Sequence, residues 1–166
     1  MVACGYGRNS KLFAHNGMEV TGIDASAVGI EMAKEFDPKS NYVCGSVLDM
    51  PFGGPFDVVF SLNALHLFPK HEREQFIDEC MKRLRKGGLG YFAVFSEKES
   101  SYGKGPKLEE NTWESLPGRP AHCYTDEDIR SEFGAYEIVD TGITEDRDMH
   151  AEGPHTHNTR YIVARK

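Results

Sequence analysis

Four cysteines in 166 residues, none in a C-x-x-C pair, leave this chain without the spacing of a structural zinc site or a disulfide framework. Cys4, Cys44, Cys80 and Cys123 therefore read mostly as buried thiols, with only Cys4 placed near a ligand. No apolar run approaches the length needed to cross a bilayer, and no basic stretch followed by an apolar one opens the chain, so the text reads as that of a cytoplasmic protein. Positive charge is scarce. Nineteen basic against 26 acidic residues leave a formal charge of −7, whereas a phosphate backbone asks for a basic stripe. The densest basic run, KRLRK at 82–86, suits the end of a helix. No nucleic-acid partner is expected, and an RNA substrate would need a separate recognition domain. Repeats and low-complexity tracts are lacking too. What is present, 39% hydrophobic and 11% aromatic residues, suffices for one core in one domain over 1–166. Oligomeric state is not legible.

The strongest pattern is VACGYGRN at 2–9 followed by VTGIDAS at 20–26. Gly5 and Gly7 can take positive φ and let backbone approach a ligand, and the helix opening at Arg8 brings free N–H donors beneath them. Asp24 stands seventeen residues after Gly7 at the end of a short alternating strand, where an acid in an α/β unit accepts hydrogen bonds from a ribose diol. The dinucleotide pattern wants a third glycine where Ser10 stands, which disfavours a nicotinamide-dependent oxidoreductase.

Together with GSVLDMPF at 45–52, FDVVFSLNALHLF at 56–68 and KHEREQFIDECMKRLRKGGLGYFAVF at 70–95, this arrangement resembles the class I S-adenosylmethionine-dependent methyltransferases along nearly the whole chain. CGYGRNSKLFAHNGMEVTGID and the terminal TRYIVARK are similar to small-molecule methyltransferases of the tellurite-resistance type. The resemblance implies S-adenosyl-L-methionine as cofactor. It places Ala3, Cys4, Gly5, Gly7 and Asn9 in the glycine turn, and Asp24, Ala25 and Ser26 at the ribose. Ser46, Val47, Leu48 and Asp49 fall at the adenine, with Asp49 toward its amino group, and Ser61, Leu62 and Asn63 at the reacting end. It also implies methyl transfer to a small-molecule acceptor by in-line displacement, a chemistry in which holding the nucleophile in line supplies roughly 7–11 kcal/mol.

One position departs from the family. Met1 falls where the first strand should carry its acid, and Ala3 falls on the first glycine. The expectation is a first strand largely missing, whose three or four aliphatic residues at roughly 1.5–3 kcal/mol each would have supplied about 5–10 kcal/mol. A truncated chain start follows as an expectation, and a non-catalytic remnant acting through binding stays open as an alternative.

Helices are expected near 8–16, 26–36, 70–86 and 125–134, and strands near 1–4, 19–23, 41–44, 56–61, 88–95, 135–143 and 158–165. The fold class is α/β, a Rossmann-like doubly wound sheet, mostly parallel with an antiparallel C-terminal strand. Thr125 with Asp128 reads as a capping box. The segment 97–124, too long for a plain connection, is the expected cap over the substrate, with Tyr102, Trp113, His122 and Tyr124 as substrate-binding candidates alongside His66. His66 and His122 are also the candidate bases. His150, His155 and His157, with Glu152, gather in HAEGPHTHN, which reads as a histidine-decorated hairpin and not as a metal site.

Overall fold

The computed structural model describes residues 1–150 and 153–166, without the side chains of 146, 148–150 and 153–155. In chain order the elements are α1 (Arg8–His15), β1 (Thr21–Asp24), α2 (Ala27–Phe36), β2 (Asn41–Cys44), β3 (Phe56–Leu62), a 3-10 turn (Leu65–Leu67) and α3 (Lys70–Lys82). There follow β4 (Leu84–Phe95), β5 (Lys107–Glu109), β6 (Thr112–Leu116), β7 (Arg119–His122), α4 (Asp126–Glu132), β8 (Glu137–His150) and β9 (Gly153–Arg165).

β1 pairs with β2 and β3 with β4, both in parallel, while β9 runs antiparallel between β4 and β8. Among the described residues Val2 alone joins the two parallel pairs, bridging to Ile23 on one side and Ser61 on the other. Its neighbourhood is tied by Ile23 N–H to Met1 O (3.0 Å), Cys4 N–H to Ile23 O (3.0 Å) and Val2 N–H to Phe60 O (2.9 Å). The strand expected over 1–4 is thus a single bridging residue. Ala3 already turns away at φ 54°, so the extended backbone stops there.

Side-chain alternation sorts the sheet's two faces. Phe92 meets Phe133 edge-on after α4, and Met81 of α3 lies against Gly90, so the even positions of β4 face α3 and α4. Phe60 stacks on Tyr91 and meets Phe13 of α1 on the opposite face. Helices therefore lie on both faces, as a doubly wound sheet requires. The core joins Val2, Ile23, Val59, Phe76, Ile77, Phe92, Val94 and Ile162, all nearly inaccessible.

Several boundaries differ from expectation, β4 starting four residues earlier than expected and β9 five. The helix expected over 70–86 ends at Lys82, because Leu84 is needed in the core and pairs with Phe56 of β3. The strand expected over 135–143 runs on to His150 in a long hairpin with β9. The segment 97–124 is no loose connection: it folds β5, β6 and β7 into an antiparallel sheet of its own. α4 opens with the expected capping box, Thr125 and Asp128 each holding the other's backbone N–H.

Candidate functional site

Ala3, Gly5 and Gly7 all have left-handed backbone, at φ 54°, 53° and 84°. A Cβ on Gly7 would lie 2.6 Å from the Tyr42 hydroxyl, which itself donates to the buried Asp37, whereas a Cβ on Gly5 would meet nothing within 4 Å. The turn is therefore packed underneath and open above. Asn9 lies half-buried in the first turn of α1.

Asp24 ends β1 with both carboxylate oxygens in use. Oδ2 accepts from Gly5 N–H at 2.8 Å and Oδ1 from Ser26 N–H at 2.9 Å, so one side chain fixes the glycine turn and the entry to α2. Ser26 in turn caps α2 by accepting from Gly29 N–H at 3.0 Å, with Ala25 exposed beside it. Each Asp24 oxygen keeps a second lone pair for a ligand hydroxyl. Burial, and then the Asp24 charge, push the Cys4 thiol up to about 11, so it stays protonated.

Parallel register sets Cys44 opposite Asp24. Cys44 is exposed, not buried as the sequence led one to expect, because β2 lies at the sheet edge. Beyond it, Ser46 accepts from Leu48 N–H at 3.1 Å, Val47 turns into the core, and Asp49 is left exposed. At the end of β3, the Ser61 hydroxyl is buried without a hydrogen-bond partner, Leu62 is half-buried, and Asn63 adopts φ 55°. Left-handed backbone on a residue with a side chain is strained, and at Ala3 and Asn63 the strain falls at the carboxyl ends of adjoining strands.

His66 is 1% exposed and stacks on Phe95 with ring centroids 4.0 Å apart; its Nδ1 is buried and unpartnered. Burial, then the neighbouring His122, Arg119 and His157, lower it from near 6.5 to about 3. His122, equally buried, accepts from or donates to Thr112 Oγ1 through Nδ1 at 2.9 Å, while its Nε2 makes no hydrogen bond and lies 3.7 Å from Asp128 Oδ1. Burial and then the Arg73 charge lower it to about 4, against the pull of Asp128. Both rings are neutral at pH 7. No motif singles out Thr112; the β6–β7 register, which pairs it with His122, reveals it.

Among the other cap residues, Trp113 packs edge-on against Tyr102, whose hydroxyl donates to Asn111. Tyr124 is withdrawn into the core, its hydroxyl donating to Glu132 at 2.6 Å. Glu132 also holds Arg73 at 2.7 Å, and both side chains are 2% exposed. The His66-side turn and the β5–β7 cap border an open cleft of about 410 Å³, lined by Leu67, Phe68, Pro69, Glu72, Leu108, Glu109, Thr112, Gly118 and Pro120. Of the histidine hairpin, the side chains of His150 and His155 and all of Glu152 lie outside the described residues. His157 pairs with Glu99 at 3.2 Å and stacks on Phe95. Among the described residues no three histidine, cysteine or acidic side chains are arranged to hold a metal ion.

Residues 1–92 match the family described as a methyltransferase domain. The chain belongs to that family. Ubiquinone biosynthesis O-methyltransferase of Nitrobacter winogradskyi is 27% identical over 122 residues, 70% of this chain and 45% of that protein. This methyltransferase-domain chain thus spans less than half the length of that curated relative. A SAM-dependent methyltransferase of Methanosarcina mazei superposes with a TM-score of 0.83 at 21% identity, covering 99% of this chain and 90% of that one. Magnesium protoporphyrin IX methyltransferase of Synechocystis PCC 6803, solved with bound SAM, superposes at 0.68 with 19% identity, over 99% and 67%. These likenesses fix the fold as the α/β methyltransferase fold. The methyltransferase-domain residues fit a nucleoside-bearing cofactor at three points: the open face over Gly5, the spare Asp24 lone pairs, and the orphaned Ser61 hydroxyl at the end of β3. No helix among the described residues is long and apolar enough to cross a membrane.

Proposed function

We propose that this chain transfers a methyl group from S-adenosyl-L-methionine to a small-molecule acceptor. The observation that carries the reading is Asp24, a strand-end carboxylate bonded to the Gly5 amide and still able to accept from a ribose. The cofactor, when bound, supplies a sulfonium methyl group already activated for transfer. The chain's own residues then hold and orient. Gly5, Gly7 and Asp24 seat the nucleoside, Asp49 offers an exposed carboxylate to an amino group, and Ser61, Leu62 and Asn63 line the reacting end.

The cap 97–124 encloses the acceptor side, with Tyr102, Trp113, His122 and His66 as its candidates. As neutral imidazoles, His66 and His122 offer hydrogen bonds that orient an acceptor; with values near 3 and 4 they are weak proton acceptors in this conformation. Tyr124 supports the cap from within the core. The whole forms a single domain over 1–166, and the relation to the tellurite-resistance type rests on the CGYGRNS and TRYIVARK segments. A cytoplasmic setting fits the composition.

Incubation with methyl-labelled cofactor and a panel of phenolic, thiol and amine acceptors tests the reading. Label should appear in a small molecule, and His66→Ala should slow its transfer without changing cofactor affinity. Transfer of label to no member of a broad panel by a chain that binds the cofactor would favour the non-catalytic alternative.

A further inference from the structure

Resting on the methyltransferase reading, the geometry points to a charge class for the acceptor: the cleft beneath the β5–β7 cap admits small apolar amines in their ammonium form and turns away anions. Its walls are hydrocarbon, Leu67, Phe68 and Pro69 on one side and Leu108 and Pro120 on the other. About 410 Å³ falls at the small end of ligand pockets, which run roughly 300–1,000 Å³, and suits one aromatic ring with a short arm.

Among the described residues the ionisable side chains lining it are two carboxylates, Glu72 and Glu109. Glu109 is already engaged, accepting from the Lys70 backbone N–H at 3.1 Å and from Arg73 Nη1 at 3.4 Å. Arg73 is committed more closely to Glu132, at 2.7 Å, so one guanidinium serves two carboxylates. Glu72 has only the exposed His71 ring nearby, at 4.0 Å, and its side chain is 35% exposed. It is the group with charge to spare.

Two of the cap's basic side chains are held by neighbours within the cap, although the Arg119 charge still reaches His66. Arg119 bonds back to Ser115 within its own hairpin at 3.2 Å, and Lys107 pairs with Glu110 at 2.7 Å. Across 97–128 eight carboxylates stand against four lysine or arginine side chains. A cleft with low-dielectric walls and one sign of charge concentrates that field at its mouth. It attracts an ammonium group and repels carboxylates, phosphates and chalcogen oxyanions alike.

Tyramine and 4-hydroxyphenylacetate test this directly, since they share a phenol ring and differ in the charge of the arm. Each is titrated calorimetrically into the full chain with and without S-adenosylhomocysteine, and into Glu72→Gln. Tyramine should bind at least tenfold more tightly than the acid, the gap narrowing to about twofold in Glu72→Gln and shrinking with added salt in the parent chain. Equal or tighter binding of the acid, a preference that survives Glu72→Gln, or binding of neither probe would each overturn the inference. Because the comparison is also run without S-adenosylhomocysteine, its outcome is separate from whether the cofactor reading holds.

Discussion

The Gly5 amide donates to Asp24 Oδ2 at 2.8 Å, so the residue that would hold the ribose also holds the glycine turn. A turn whose sheet anchor is the one bridging residue Val2 depends on such a contact more than one continuing a full strand. Asp24→Ala should weaken binding of S-adenosylhomocysteine by about 1.5–3 kcal/mol, roughly ten- to more than a hundredfold, as a charged hydrogen-bond acceptor is lost. Calorimetric titration checks this, and unchanged affinity would remove Asp24 from the ribose site.

Gly5 and Gly7 should respond differently to alanine. Both need left-handed backbone, which costs an alanine about 1–2 kcal/mol. Only at Gly7 does the new methyl group also run into Tyr42. Urea unfolding should therefore show Gly7→Ala as the more damaging by at least about 1 kcal/mol. Equal losses would mean that Tyr42 yields freely.

Acid should destabilise the fold well above the range where carboxylates protonate. Unfolded imidazoles titrate near 6.5, whereas His66 and His122 titrate at about 3 and 4 in the folded chain. Between those values the unfolded chain binds more protons, so their stabilising contribution is complete above about pH 7 and falls as pH drops through 6.5. By pH 5 the loss should reach about 2 kcal/mol for each ring. Urea midpoints at pH 7.5 and 5.0 measure it, and His66→Phe should remove about half of the slope.

Arg73 and Glu132 should behave as a buried pair. Arg73→Met leaves the Glu132 carboxylate facing Tyr124 without its guanidinium, and such losses run to about 3–5 kcal/mol. Denaturant unfolding decides this, and a loss below 1 kcal/mol would show that Glu132 is relieved by protonation or by water.

Much of this architecture was legible because it is local. The glycine turn, Asp24 at its strand end and the Thr125–Asp128 box each rest on residues a few positions apart, and the near-continuous apolar run marks the strand β3, although only Val59 and Ser61 of it are buried and Val58 is exposed. The end of α3 was not legible: KRLRK continues a helical pattern, and only the pairing of Leu84 with Phe56 stops it. The cap's own sheet was hidden for a similar reason. Its strands are three to five residues long, and what holds them is cross-strand pairing such as Thr112 with His122. Arg73 looked like one charge among many on an exposed helix, yet it is buried because its partners come from 36 and 59 residues further along.

The central claim is that this chain holds an S-adenosyl nucleoside over Gly5 and Asp24. Calorimetric titration of the 166-residue chain with S-adenosylhomocysteine, using NAD as the control titrant, tests it most directly. Micromolar binding of S-adenosylhomocysteine alone, weakened in Asp24→Ala, is the predicted result. Preference for NAD, or binding of neither, would contradict it.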